Sequence, residues 1–405
     1  MLSLSLFSHL KDAHPPQVRV LVAFDKFKGS LSAAEACLIG ERALRERQPS
    51  WQLDACPLTD GGEGFVEILA SAVRGRRMTL DVSGPRGGLI AAGIGLATPS
   101  QIPGSVRPWL RLPEQDCNSG RQVAIIEMAT ASGLSLLPAP LHDPWQTTTY
   151  GTGQLIRAAA ELGCASILLG VGGSATNDLG LGALSALGLE FRGNGGAKIS
   201  PPIPLHCDQI IRIEGEAFPS LPPICIACDV TNPLFGPDGA AAVYGPQKGL
   251  HPADRSRLEA TMERIARMLV DHCGQPSNLS ETPGAGAAGG LSFGLMAGAG
   301  ARLVPGFELV SAWLSLDARI ASADIVITGE GCFDATSLAG KGPGAVAARA
   351  RALGKPVHVF AGRIGADLAP DGCRLHAITP AGHPGGDVQR DAPALLLSSI
   401  QAEFS

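Results

Sequence analysis

The chain of 405 residues carries 32 Lys and Arg against 37 Asp and Glu, a formal net charge of -5. That length suits two or three domains around a large buried core, and the acidic balance argues against nucleic acid, whose phosphate backbone needs a basic surface. Aromatic residues at 4% offer little for stacking bases, and no run of eighteen apolar residues predicts a membrane span.

Ten cysteines, scattered along the chain without regular spacing, read as buried small hydrophobes of a reducing compartment, so the cytoplasm is the expected location. The opening "MLSLSLFSHLKDAHPP" lacks the basic n-region and long apolar h-region of a secretory signal, and reads as an extension. The first clear element is "VRVLVAFD", residues 18 to 25, a β-branched run of the buried parallel-strand type. After the turn "KFKG" comes "SLSAAEACLIGERALRERQP", a helix in which Ser32 and Glu35 have capping-box spacing and Pro49 follows the end. The basic group Arg74, Arg76 and Arg77 reads as a solvated face. Residues 97 to 120 are Pro-rich and aperiodic, which predicts a surface insertion.

"VAIIEMA" (123–129) reads as a strand and "TTTYGTGQLIRAAAELG" as a helix ending at Gly163. "ASILLGVGG" (165–173) is a strand running into a glycine loop, with "NDLGLGALSALGLEF" behind it. Residues 192 to 222, rich in Pro and Gly, read as a crossing between elements, and "PICIACDV" (223–230) as a strand. Near the end "ADIVITGEG", "GPGAVAARARALG", "KPVHVFAG" and "CRLHAITP" alternate strand, helix, strand, strand. Alternation of this kind predicts mostly parallel sheets with helices on both faces. The 52 glycines, without a collagen period, suit many tight strand-to-helix turns.

In open α/β sheets ligands bind beyond the carboxyl ends of strands, so six polar loops at those ends are where chemistry is expected. "DKFKGS" offers Asp25, Lys26, Lys28 and Ser30 before a helix N-terminus, where an anion is favoured. "LTDGGEGF" sets Asp60 and Glu63 around two glycines, which suits Mg²⁺ or a hydroxyl to be activated. "GVGGSATND" places Gly172, Gly173 and Ser174 as a backbone nest for phosphate, with Asn177 and Asp178 as oxygen donors. "CDVTNPLFGPDGAAAVYGPQKG" follows a strand with Asp229, Thr231 and Asn232, and carries Lys248.

"PGAGAAGG", with Gly286, contains GxGxxG, but no strand pattern precedes it as the dinucleotide fingerprint requires; it reads as a phosphate-approach loop or helix opening. The sixth loop, "ITGEGCFDATSLAGKGP", brings Glu330, Asp334 and Lys341. It is not a P-loop, because Ala335 stands where that motif needs its first glycine and Gly342 where it needs Ser or Thr. Acids, amides, lysines and glycine nests together suit phosphoryl transfer, which needs positioned phosphates, a metal and charge neutralisation more than a covalent nucleophile. No HExxH competes.

These loops, with "IEMATASGL", resemble in order and content the bacterial glycerate kinase family, the type that phosphorylates D-glycerate, over roughly residues 18 to 385. The resemblance implies a flavodoxin-like parallel-sheet α/β domain, residues 1–60 plus 266–405, and an inserted mixed α/β domain, 61–265, with the active site in the cleft between them. It implies ATP with Mg²⁺ as donor, D-glycerate as acceptor and 2-phosphoglycerate as the usual product, with 3-phosphoglycerate not excluded by spacing. No nucleic acid or membrane partner is expected; the oligomeric state stays open, a homodimer being the assembly entertained.

Carried over residue by residue, Lys28 with its following helix would take the substrate carboxylate, and Asp60 or Asp178 would orient or deprotonate the attacking hydroxyl. Metal would fall to Asp229 or Glu330, with Glu63 nearby in type, and Lys248 or Lys341 would neutralise the transferring phosphoryl group. Ser30, Gly172, Gly173, Ser174, Asn177, Asn232, Gly286 and Asp334 complete the expected substrate and nucleotide contacts. The chain departs from the family at Cys332, where an Arg is usual, and after Asp334, where Ala335, Thr336 and Ser337 stand in place of the usual x-Gln-Thr. A thiol lacks the planar fork that Arg offers a phosphate or carboxylate, and Arg363 in "AGRIG" is the candidate replacement. Two other readings are an inactive or substrate-shifted relative, and an NAD-linked oxidoreductase built on "GAGAAGG" with Glu308 as its acid.

Overall fold

The computed structural model describes residues 17–112, 115–116, 119–339, 342–365, 368, 372–380, 382–383 and 388–405. The chain divides into two units, one formed by residues to Leu58 with Asp317–Ser405, the other by Thr59–Leu316. The first unit opens with β1 (Arg19–Phe24), whose residues are buried from Val20 on, followed by α1 (Ala33–Arg47) and β2 (Gln52–Ala55). The capping box forms as spaced: Ser32 Oγ accepts from Glu35 N, and the Glu35 carboxylate accepts from Ser32 N.

The chain then enters the second unit through α2 (Phe65–Ala72), the hairpin β3 (Arg76–Ser83) and β4 (Leu89–Ala97), β5 (Val123–Glu127) and the short α3 (Ala129–Ser132). Next come α4 (Tyr150–Glu161), β6 (Ser166–Gly170), α5 (Leu181–Leu187), β7 (Glu190–Arg192), β8 (Lys198–Ile199) and β9 (Arg212–Glu214). The unit closes with β10 (Ile224–Ala227), α6 (Ala240–Tyr244), α7 (Arg255–Cys273), α8 (Ala287–Ala299), β11 (Arg302–Val304) and α9 (Gly306–Trp313). Its main sheet has the order β11-β10-β6-β5-β4-β3. β5, β6, β10 and β11 run parallel while β3 and β4 run antiparallel to their neighbours, so the sheet is mixed. A small antiparallel sheet, β8-β7-β9, occupies part of the stretch that reads as a crossing.

Returning to the first unit, α10 (Leu316–Ser322) and β12 (Ile325–Phe333) precede α11 (Gly342–Ala352), β13 (Val357–Ile364), β14 (Cys373–Ala377) and α12 (Val388–Glu403). All five strands of its sheet are parallel, in the order β14-β13-β12-β1-β2. Counted within the unit this is 2-1-3-4-5, the flavodoxin-like order, which reverses direction between β1 and β12. One face is sealed by α1 and α12, with Val22, Phe24, Ala36, Leu44, Leu396 and Ile400 in one apolar cluster. Gly40 allows that contact, since a Cβ there would sit 2.9 Å from Val22 Cγ1.

The return to the first unit falls between residues 316 and 317, later than the expected 265 and 266. The reason is α7, whose Leu258, Met262, Ile265 and Leu269 recur at helical spacing and join the core of the second unit, as do Leu291 and Phe293 of α8. Residues 97 to 112 are pinned rather than loose: Ile102, Val106 and Leu110 are buried, and Arg302 Nη2 donates to Pro108 O at 2.8 Å. Arg74, Arg76 and Arg77 are exposed, as their pattern predicts. Among the described residues no helix is long and apolar enough to cross a membrane.

Candidate active site

In the first unit, the carboxyl ends of β1 and β12 lie side by side at the point where the strand order reverses. Asp25 N donates to Gly329 O at 3.0 Å, and a Cβ on Gly331 would stand 3.1 Å from Lys28 N, so the two loops touch. The turn after β1 closes on itself through Phe27 N to Leu31 O, and Ser30 Oγ donates to Phe27 O at 2.9 Å. Ser30 therefore spends its hydroxyl on the turn, while Lys28 stands exposed at its tip.

Glu330 is the electrostatic centre of this region. Its Oε1 is buried without a hydrogen-bond partner, and burial pushes its carboxyl up to about 7; a Ser337 bond works against the shift, while the charges of Asp25 and Asp334 add to it. Asp334 is held low by Thr336, whose N and Oγ1 donate to its Oδ1 at 2.8 and 2.6 Å. Cys332 pairs in register with Arg363 of β13, and the guanidinium Nη2 stands 3.9 Å from its Sγ. A cation thus comes to the neighbourhood of Cys332 from the adjacent strand. Lys341 lies outside the described residues.

In the second unit, four expected loops converge at the carboxyl ends of β5, β6 and β10. Gly172 N donates to Gly61 O at 3.0 Å, and a Cβ on Gly172 would meet Gly62 Cα at 2.6 Å. "DGGEG" and "GVGGSATND" therefore interlock backbone against backbone, which only glycine permits. Asp60 and Glu63 are exposed on this assembly, and Asp60 Oδ1 accepts from Gly62 N at 3.3 Å. Gly173 adopts φ +74°, with Ser174 beside it. The "PGAGAAGG" loop follows a 3-10 turn, Ser277–Glu281, not a strand, and Glu308 lies in α9; the dinucleotide reading is overturned by that geometry. Its Ala288, Gly289 and Gly290 are all left-handed, and Gly289 O accepts from Leu179 N at 3.1 Å.

Several of the expected residues bond within the protein. Asp178 is fully buried, and its carboxylate accepts from Thr149 N, Thr149 Oγ1, Gly180 N and Gly182 N. Burial pushes its pKa up and those bonds pull it down. Its oxygens hold the start of α5. Lys248 is likewise sealed at 1% exposure, with Nζ donating to Thr176 O at 2.7 Å and burial lowering its pKa to about 7. It braces the 172–178 loop from inside.

Asn232 donates to Asp238 O and accepts from Tyr244 Oη, and its own carbonyl accepts from Gly284 N and Gly286 N. Gly286 is packed so that a Cβ would lie 2.3 Å from Pro233 O. Asp229 Oδ2 accepts from Phe307 N at 2.8 Å, anchoring α9. Asn177 is buried with its Oδ1 unpaired, an acceptor left over in the loop interior. Asp229, Glu63 and Glu330 belong to no three-residue group of converging ligand atoms among the described residues.

One residue escaped the sequence reading. Glu127 ends β5 at 5% exposure, and burial pushes its carboxyl up to about 7 even though the N–H groups of Val66, Phe65 and Gly64 at the start of α2 bond to it. The available signal was an acid closing a wholly apolar strand at its carboxyl end.

Residues 20–382 match the sequence profile described as the Glycerate kinase family. The chain is 38% identical over 358 residues to a protein of Escherichia coli K12 named Glycerate 2-kinase, covering 87% of each chain. It is 37% identical over 356 residues to a protein of Halalkalibacterium halodurans named Glycerate kinase, covering 85% of this chain and 86% of the other. A Salmonella typhimurium LT2 crystal structure carrying the name glycerate kinase 2 superposes with a TM-score of 0.73 at 35% identity, spanning 96% of this chain and 97% of that one.

Proposed function

The chain belongs to the glycerate kinase family, and from that premise we propose that it transfers the γ-phosphoryl group of ATP to the 2-hydroxyl of D-glycerate, giving 2-phosphoglycerate. The observation that carries this reading is the 38% identity, over 87% of both chains, to the E. coli protein named for 2-phosphorylation. Phosphoryl transfer asks a protein for positioning and charge neutralisation more than covalent chemistry, and the exposed groups at the strand ends match that demand. The family's site lies in the cytoplasm in this reading.

Access supports one reading of each pair of alternative roles. Asp60, exposed where Asp178 is sealed, accepts the proton of the attacking hydroxyl. Lys28, at the tip of the turn before α1, binds the substrate carboxylate. Lys341 takes the charge-neutralising role that the burial of Lys248 denies it. Arg363 provides a second cation beside Cys332. Mg²⁺ fits Glu330: its unpaired buried Oε1 is a hard oxygen donor in want of a partner, and Asp25 adds another carboxylate nearby. When bound, such an ion offsets negative charge on the phosphate oxygens.

The test is ADP release in a coupled assay with D-glycerate, L-glycerate and other short hydroxy acids. D-Glycerate is expected to give turnover that falls at least about a hundredfold in Glu330→Gln. Absence of ADP with every acid, alongside measurable ATP binding, would instead favour an inactive relative.

A further inference from the structure

Three side chains of the first unit stand away from the strand ends described above. His358 is the second residue of β13, His376 the fourth of β14 and Glu403 the last of α12. His376 is the register partner of Phe360, two residues on from His358, so both imidazoles project from the same face of the sheet. That face is the one α12 covers. Phe360 stacks on His376 at 4.3 Å between ring centres, and Phe404 packs against His358 at 4.8 Å.

Among the described residues these three form the one group of His, Cys, Asp or Glu side chains whose ligand atoms all lie within 4.8 Å of one another. His358 Nδ1 stands 3.3 Å from His376 Nε2 and 3.3 Å from Glu403 Oε1, while His376 Nδ1 is 3.8 Å from Glu403 Oε2. The spacing suits a shared ion: four ligands at bonds of about 2.1 Å around a tetrahedral centre lie roughly 3.4 Å apart.

Proton counting favours an ion over a closed hydrogen-bond network. A neutral imidazole has one N–H, and His358 Nδ1 faces an imidazole nitrogen and a carboxylate oxygen together. One proton there serves one of those acceptors and leaves the other lone pair turned inward. Burial depresses both rings, His358 to about 4, against the pull of Glu403. Uncharged imidazole and carboxylate are the forms of these side chains that bind metal. The other charge facing it is Arg374, whose Nη1 donates to Glu403 Oε1 at 2.9 Å from a largely exposed side chain. The second carboxylate oxygen stays available beside it.

We propose that His358, His376 and Glu403 form a transition-metal site of the Zn²⁺ class, with a fourth position open to water, which ties the end of α12 to β13 and β14. Imidazole ligands select Zn²⁺ or its neighbours over Mg²⁺, so this ion is separate from the one that accompanies ATP. The proposal stands whether or not the substrate assignment above holds.

The full-length protein, stripped with EDTA, is titrated with Zn²⁺ by calorimetry and with Co²⁺ by visible absorption. The expected result is a saturable equivalent with micromolar or tighter affinity, and Co²⁺ bands of a four-coordinate nitrogen–oxygen site. His376→Ala and Glu403→Gln, both at partly exposed positions, are each expected to weaken Zn²⁺ binding by about 10- to 100-fold and to erase those bands. Turnover with Mg²⁺ and ATP is expected to stay at the wild-type level in both. Absence of Zn²⁺ binding by the wild type overturns the proposal, and so does wild-type affinity in either variant, which would move the ion to cysteines or elsewhere.

Discussion

Asp178 and Asp60 carry the same carboxylate, and their surroundings give them different work. Asp178 receives four donors inside the protein, so Asp178→Asn is expected to lower unfolding free energy by about 2–3 kcal/mol. Asp60 is exposed, so Asp60→Asn should leave the denaturation midpoint in place while kcat falls by about 10²–10⁴. Full turnover in Asp60→Asn would remove it from the chemistry. Glu127 makes a pH prediction. Its folded pKa of about 7 lies above the unfolded carboxylate value, so its contribution to stability is complete below that lower value and lost as pH rises through 7. Glu127→Gln, fixed in an uncharged form, is expected to gain on the wild type between pH 5 and 8, by up to about 3 kcal/mol. A pH-independent difference in denaturant midpoints would contradict this.

At the scale of elements, the entry to α8 carries backbone conformations that side chains resist. Gly289 has φ +66°, and a Cβ there would stand 2.0 Å from Thr176 O; Gly274, at the end of α7, has φ +63° with nothing within 4 Å. Both Ala variants carry left-handed strain of about 1–3 kcal/mol, but only Gly289→Ala adds a backbone clash against the 172–178 loop. Thermal denaturation should therefore rank Gly289→Ala well below Gly274→Ala, and equal midpoints would refute the close packing of those loops. Legibility followed burial in the same way. The strands β1, buried from Val20 on, and the wholly buried β5, β6 and β10 announce themselves as apolar runs. β3 does not, because Arg76, Arg77, Leu80 and their neighbours leave it half exposed in an antiparallel hairpin. α7 is legible in the spacing of Leu258, Met262, Ile265 and Leu269, and it packs within the second unit, which runs to Leu316. The burial of Asp178 and Lys248 was not legible, since it depends on Thr149, Thr176 and other residues distant in sequence.

For the whole molecule, the chain leaves a five-stranded parallel sheet after residue 58, builds a mixed-sheet unit, and returns at 317 to finish the first sheet. The polar loops named by the sequence fall at carboxyl ends of parallel strands in both units, where a ligand is expected. Family membership is read from nearly the full length of the chain, and the exact product is the step that the family name leaves to experiment. Phosphorus NMR of the product from D-glycerate, ATP and Mg²⁺ tests that step most directly. The resonance of 2-phosphoglycerate is expected as the new phosphoester. A 3-phosphoglycerate resonance, or none beyond the nucleotides, would contradict it.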